Sequence, residues 1–254
     1  MRQRYLSDAE IAAFRRDGFL IVRRMYTPEE MTRLSGWIED LAGRPSGAGK
    51  QMAYYEDSLL VPGTRILSRI ENFADDHAEF RAFVDDPRMT ARAGELLGEP
   101  AVLFKEKINF KMPGGDGFKP HQDIQPGWDQ YAGYFISALV TVDDSSVGNG
   151  CLELAAGHHT RGLVGRKWQP LEGAELDGIV FEKYPMVPGD VAYFDCFVPH
   201  QSAPNLTDRA RRNLYLTFNR WSDGDRRVQY FADKRQSFPP DHEREPGKQY
   251  VFKV

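Results

Sequence analysis

The sequence predicts an α+β chain in which helices from the N-terminal part pack on a double-stranded β-helix, or jelly-roll, core. Three observations carry this expectation. Capped helical periodicities fill much of the stretch before Gly98, and short runs rich in β-branched and aromatic residues, broken by Pro, Gly, Asn and Asp, follow it. The 254 residues also contain no internal repeat or low-complexity segment, which suits one domain. The expected parts are a helical portion over 1–98, a jelly-roll core over about 99–221 and a surface tail over 222–254.

The first helix starts at the capping box Ser7-Asp8-Ala9-Glu10, places Ile11 and Phe14 on one side, and stops near Gly18. Thr27-Pro28-Glu29-Glu30 opens a second, in which Met31, Leu34, Ile38 and Leu41 recur at helical spacing as far as Gly43. "RPSGAGK" then reads as a loop, followed by helices over Asp76 to Val84 and Pro87 to Leu97, the latter capped by Asp86 and stopped by Gly98. The runs "AVLFKEKINFKM", "YFISALVTV", "CLELA", "VAYFDCF" and "NLYLTFN" read as strands. From Ser222 the chain is charged and contains prolines, ending in "YVFKV", and is expected to wrap the surface.

A formal net charge of −4 offers no basic surface for a nucleic acid. The N-terminal "MRQRYLSDAEIAAFRRDGF" has no signal-like apolar core, and no run approaches the roughly 20 apolar residues of a membrane span. A soluble, cytoplasmic protein acting on a small molecule is expected; oligomeric state is not legible. Cys151 and Cys196 lie in apolar runs outside any C-x-x-C motif and read as buried thiols.

Composition alone predicts about one His-x-acid match, and there are two, His77/Glu79 and His121/Asp123. The first falls in a predicted helix, where residues two apart diverge. The second lies among strands and turns, where i and i+2 project to one face and can converge on a cation. His200, at the end of "VAYFDCFVPH", supplies a third donor. Two histidines and one carboxylate form the facial triad of non-haem Fe(II) sites, which leaves positions open for substrates; structural histidines remain the competing reading. Ser202 shares an extended face with His200, and Arg209, Arg211 and Arg212 follow. A guanidinium fork with a neighbouring hydroxyl is how a buried dicarboxylate such as 2-oxoglutarate would be held. Alternation selects Arg211, which shares a face with Asn213, Tyr215, Thr217 and Asn219, whereas Arg212 shares one with Leu214, Leu216 and Phe218.

These residues resemble the phytanoyl-CoA dioxygenase family of Fe(II)/2-oxoglutarate oxygenases. Its H-x-D stands here as His121-Gln122-Asp123, its H-x-S-x-x-N-x5-R as His200, Ser202, Asn205 and Arg211, and its N-G-x-L as Asn149-Gly150-Cys151-Leu152. The resemblance runs from "DGFLIVRR" to about Asn219. One departure is Ala156-Gly157-His158-His159 where the family has P-G-S-H, and the two histidines are read as structural. The resemblance implies a cupin-like jelly roll with Fe(II) on His121, Asp123 and His200. It implies 2-oxoglutarate held by Arg211 and Ser202, and hydroxylation with O2 that yields succinate and carbon dioxide. Lys107 and Asn109, on one face of "KEKINFK", and Phe118 are further candidates for orienting the oxo acid. The intact Asp123 argues against halogenation.

Within the family the chain looks most like the branch that hydroxylates 2-aminoethylphosphonate and its N-methylated relatives. Such a zwitterion would need a cation or amide for the phosphonate and aromatics or a carboxylate for the ammonium; Arg69, Trp128, Tyr131 and Asn219 are the candidates. The alternatives are a tailoring hydroxylase of a natural product, amino acid or acyl thioester, desaturation or epimerisation at the same site, and a non-catalytic jelly-roll binding module.

Overall fold

The computed structural model describes residues 4–250; apart from Tyr250, the closing "YVFKV" lies outside them. Helices α1 (Asp8–Asp17), α2 (Pro28–Gly43), α3 (Ala78–Val84) and α4 (Pro87–Leu97) form as the capping signals require. In both Ser7 and Thr27 the side-chain oxygen accepts from the N–H of the glutamate three residues on, whose carboxylate accepts the cap's own N–H in return.

Eleven strands make two antiparallel sheets among the described residues. In chain order they are β1 (Phe19–Val22), β2 (Met52–Asp57), β3 (Arg65–Glu71), β4 (Ala101–Lys111), β5 (Phe118–His121), β6 (Phe135–Thr141), β7 (Leu152–Leu154), β8 (Glu182–Tyr184), β9 (Val191–Asp195), β10 (His200–Ser202) and β11 (Arg211–Arg220). The large sheet runs β1-β9-β6-β11-β4-β3-β2 and the small one β5-β10-β7-β8. This is the jelly roll expected from the sequence.

The large sheet separates two environments. On its outer face Ile108, Phe110, Ile136, Ala138, Val140, Leu214, Leu216 and Phe218 form one core with Phe14, Leu34, Ile38, Leu41, Phe80, Met89 and Leu97 of the helices. On its inner face Phe19, Leu139, Ala192 and Phe194 meet Leu152, Leu154 and Val198 of the small-sheet side at one end. Elsewhere the inner face is polar: Lys105, Asn109 and Lys111 of β4 and Arg211, Asn213 and Thr217 of β11 are all buried. A bulge where Thr217 pairs with Lys105 and Phe218 with Leu103 leaves Phe104 unpaired. Phe104 thereby joins Trp128, Tyr131, Phe135 and Tyr230 in a separate aromatic cluster.

Several expectations are corrected. The N-terminal portion is not purely helical: β1, β2 and β3 come from it and extend the large sheet. His77 is not inside a helix but caps α3 in extended backbone, and its ring lies 3.2 Å from Glu79, which it therefore faces. The C-terminal stretch does not merely wrap the surface. It folds as α5 (Arg227–Ser237), whose Arg227, Tyr230, Phe231 and Lys234 are buried. Arg227 pairs through Nε and Nη2 with the fully buried Glu106 of β4 at 2.8 and 2.5 Å.

Candidate functional site

His121 ends β5 and His200 begins β10, and the antiparallel register sets them directly opposite each other with ring centroids 4.2 Å apart. Asp123 follows two residues beyond β5. Among the described residues His121, Asp123 and His200 are the group of three whose ligand atoms all lie within 4.8 Å of one another. Each imidazole uses Nδ1 on a backbone carbonyl, His121 on Lys119 O at 2.7 Å and His200 on Val198 O at 3.0 Å. That fixes the tautomer and leaves Nε2 of each as a lone-pair donor toward the shared centre. Burial, together with the neighbouring imidazole, lowers His121, and burial lowers His200, which favours the neutral rings that can ligate. Burial works to raise Asp123, while the ammonium of Lys107 and the hydroxyl of Ser137 work to lower it, and the net shift is downward. Its Oδ2 accepts from Ser137 Oγ, which in turn contacts Thr217 Oγ1 at 3.2 Å. Two neutral imidazoles and one anchored carboxylate suit Fe(II).

The middle residue of the motif also has a task. Gln122 is fully buried, donates to Gly162 O at 2.8 Å and Phe197 O at 2.6 Å, and accepts from Val164 N at 2.7 Å. It ties the ligand turn to the loops on either side. His158 and His159 stand outside the triad; the ring of His159 lies 3.3 Å from Arg15 O, beside the end of α1, consistent with a structural part.

A cluster of buried cations and polar groups is built by β4, β10 and β11. Arg211 is inside and Arg212 outside, as alternation requires: Arg212 forks onto Asp143 at 2.8 Å through Nε and Nη2 and reaches Ser35 of α2. Asn213 orients its amide to accept from Arg211 Nη1 at 2.5 Å. Arg211 Nε and Asn109 Oδ1 are buried without a hydrogen-bond partner among the described residues, as a pocket awaiting a polar ligand would leave them. Lys111 is a member that the sequence reading missed. It donates to Ser202 Oγ at 2.7 Å, Ala203 O at 2.5 Å and, at 3.4 Å, Gly150 O. Because Lys111 occupies a lone pair of Ser202, the Ser202 O–H is left to donate elsewhere. Gly150 adopts φ +74° and a Cβ there would fall 2.0 Å from Ala203 O, so this close approach requires glycine. Lys107 lies over the Tyr215 ring at 4.7 Å, and Phe118 sits within 5.8 Å of both Lys107 and Lys111.

A chamber of about 30 Å3 is lined by His121, Asp123, Arg69, Glu71, Lys105, Lys107, Trp128 and Tyr230, among others. It shares Arg69, Phe118 and His121 with an outer cavity of about 680 Å3. Of the residues expected to meet substrate, Arg69 and Trp128 line this chamber. Tyr131 does not: its hydroxyl donates to Asp233 at 2.8 Å, and it faces a neighbouring cavity alongside α5. Asn219 does not either, since its amide donates to Arg220 O at 2.8 Å and Gly224 O at 2.9 Å in the turn after β11. Glu71, Lys105 and Tyr230 were missed. Lys105 could have been found, because the same alternation that selects Lys107 and Asn109 points to it; Glu71 and Tyr230 come from segments without a clear periodic signal.

Comparison with known proteins adds three findings. A model of the phytanoyl-CoA dioxygenase family matches residues 14–213. A 2-aminoethylphosphonate dioxygenase from Uncultured bacterium HF130_AEPn_1 is 37% identical over 97% of this chain and 94% of its own length, and a methylphosphonate hydroxylase from Gimesia maris is 35% identical over 92% and 88%. The crystal structure of EctD from S. alaskensis with 2-oxoglutarate and 5-hydroxyectoine superposes with a TM-score of 0.75 at 23% identity, over 88% of this chain and 79% of that one, and so shares the fold.

Proposed function

This chain belongs to the phytanoyl-CoA dioxygenase family, and we propose that it hydroxylates 2-aminoethylphosphonate or an N-methylated relative, using Fe(II), 2-oxoglutarate and O2. The observation that carries the substrate reading is the chamber beside the triad. Three cations, Arg69, Lys105 and Lys107, line it with a single carboxylate, Glu71, beyond the ligand Asp123. That complement matches a small molecule with a dianionic group at one end and an ammonium at the other. The two relatives named above, both acting on phosphonates by name, support the same reading.

His121, Asp123 and His200 would hold the metal. Iron with its bound oxo acid supplies the oxidising chemistry that inserts oxygen into an unactivated C–H bond, leaving succinate and carbon dioxide. The chain's own residues bind, orient and enclose. Arg211 would receive the distal carboxylate of 2-oxoglutarate, and Ser202, its oxygen already engaged by Lys111, would donate its hydroxyl to it. Asn109 and Phe118 would help orient the oxo acid. Arg69, Lys105 and Lys107 neutralise the substrate's anionic group, while Trp128 and Tyr230 exclude water. The chamber itself has room for about one water, so a bound substrate would extend into the outer cavity that shares Arg69, Phe118 and His121 with it. We also place the reaction in the cytoplasm, since Cys151 and Cys196 are free, buried thiols suited to a reducing compartment.

The test is turnover of purified enzyme with Fe(II), 2-oxoglutarate, O2 and 2-aminoethylphosphonate, followed by phosphorus NMR and succinate determination. Equimolar succinate and a product carrying one added oxygen are expected. Succinate formation that this substrate does not stimulate would remove the substrate assignment.

A further inference from the structure

The family match ends at residue 213, and α5 lies beyond it. From α5, Tyr230 lines the chamber and Lys234, one turn on, grips the chamber's Glu71. The iron and oxo-acid sites are therefore built within the matched span, while one wall of the substrate chamber comes from this later helix.

Glu71 is 1% exposed and sits on β3 opposite Lys107. Lys234 Nζ lies 2.5 Å from its Oε2, and Arg69 Nε lies 3.0 Å from Oε1. A carboxylate has about four acceptor sites, so each oxygen keeps capacity for another donor. The pair is one of several anchors of α5. Arg227 already forks onto Glu106, and Tyr230 and Phe231 already fill the aromatic cluster. A buried ion pair is commonly no more stabilising than apolar residues of similar volume. Glu71 is the chamber's one carboxylate besides the ligand Asp123, and it is placed to accept a cationic group of a ligand.

We propose that Glu71 accepts the substrate's ammonium while Lys105 and Lys107 face its phosphonate, and that α5, by fixing Glu71 through Lys234, sets a preference for aminoalkylphosphonates over plain alkylphosphonates. Lys234 is then a positioning residue. The inference rests on the phosphonate reading above and deepens it.

The experiment compares kcat/KM for 2-aminoethylphosphonate and for ethylphosphonate, which has the same carbon skeleton without the amine, in the iron-loaded enzyme. Glu71→Gln is expected to lower the ratio of the two about 10- to 100-fold, the range of one charge-assisted hydrogen bond. Glu71→Asp keeps the charge but withdraws it, and is expected to raise KM for the amine substrate selectively; it serves should the glutamine variant fail to fold. An unchanged ratio in folded variants, with both substrates affected alike, would make Glu71 a staple for α5 and overturn the inference while leaving the phosphonate reading intact. Wild-type enzyme that oxidises neither compound would overturn both.

Discussion

Arg211 lies opposite Lys111 in the antiparallel register of β11 and β4, and both side chains are almost wholly buried. Like charges facing each other across strands are unfavourable, and more so away from water. A dicarboxylate between them turns that cost into binding. Arg211→Ala is expected to raise the dissociation constant for 2-oxoglutarate about 10- to 100-fold, the loss of one charge-assisted contact, with much of the turnover recovered at high cosubstrate. Anaerobic titration of the iron-loaded variant measures this directly.

Lys111 makes the same pocket sensitive to pH. Burial, and then the nearby Arg211, push its ammonium down to about 7. An anion binds the charged form, so 2-oxoglutarate should bind most tightly below pH 7 and progressively less tightly above it, as the lysine loses its proton. The profile of kcat/KM for 2-oxoglutarate should fall on the alkaline side with a slope of one proton. Lys111→Arg, which stays charged, should flatten that limb even if its affinity is lower overall; a limb that persists in the arginine variant would assign it to another group.

The attachment of α5 depends on Arg227. Glu106 is fully buried and accepts from Arg227 and from the backbone N–H groups of Phe73 and Ala74. Arg227→Met leaves that carboxylate without its cation and is expected to cost about 3–5 kcal/mol, whereas adding Glu106→Gln should recover part of the loss. Thermal or urea unfolding of the single and double variants checks this.

Much of this architecture is legible in the sequence, and the exceptions share a cause. Capping boxes at Ser7 and Thr27 locate α1 and α2, and the alternation of β11 puts Arg211 inside and Arg212 outside. The triad is legible because His-x-Asp is usable only in extended backbone. What hid β3 and α5 is the site itself. "RILSRIE" buries Arg69 and Glu71, and "RVQYFADKRQS" buries Arg227 and Lys234, so the inward positions carry charge where a pattern search expects apolar side chains. The short β1 gains its strand character from a distant partner, β9, which no local window contains. His77 was misplaced by a boundary of two residues, enough to turn a helical position into a cap.

That His121, Asp123 and His200 together hold the iron that binds 2-oxoglutarate is tested most directly by anaerobic addition of Fe(II) and then the oxo acid to wild-type and Asp123→Ala proteins, followed by air and substrate. Wild type should develop a visible charge-transfer absorption and then release succinate and hydroxylated product, while Asp123→Ala should lose nearly all hydroxylation. Full turnover by the Asp123 variant at ordinary Fe(II) levels, or no absorption from wild type, would contradict the account.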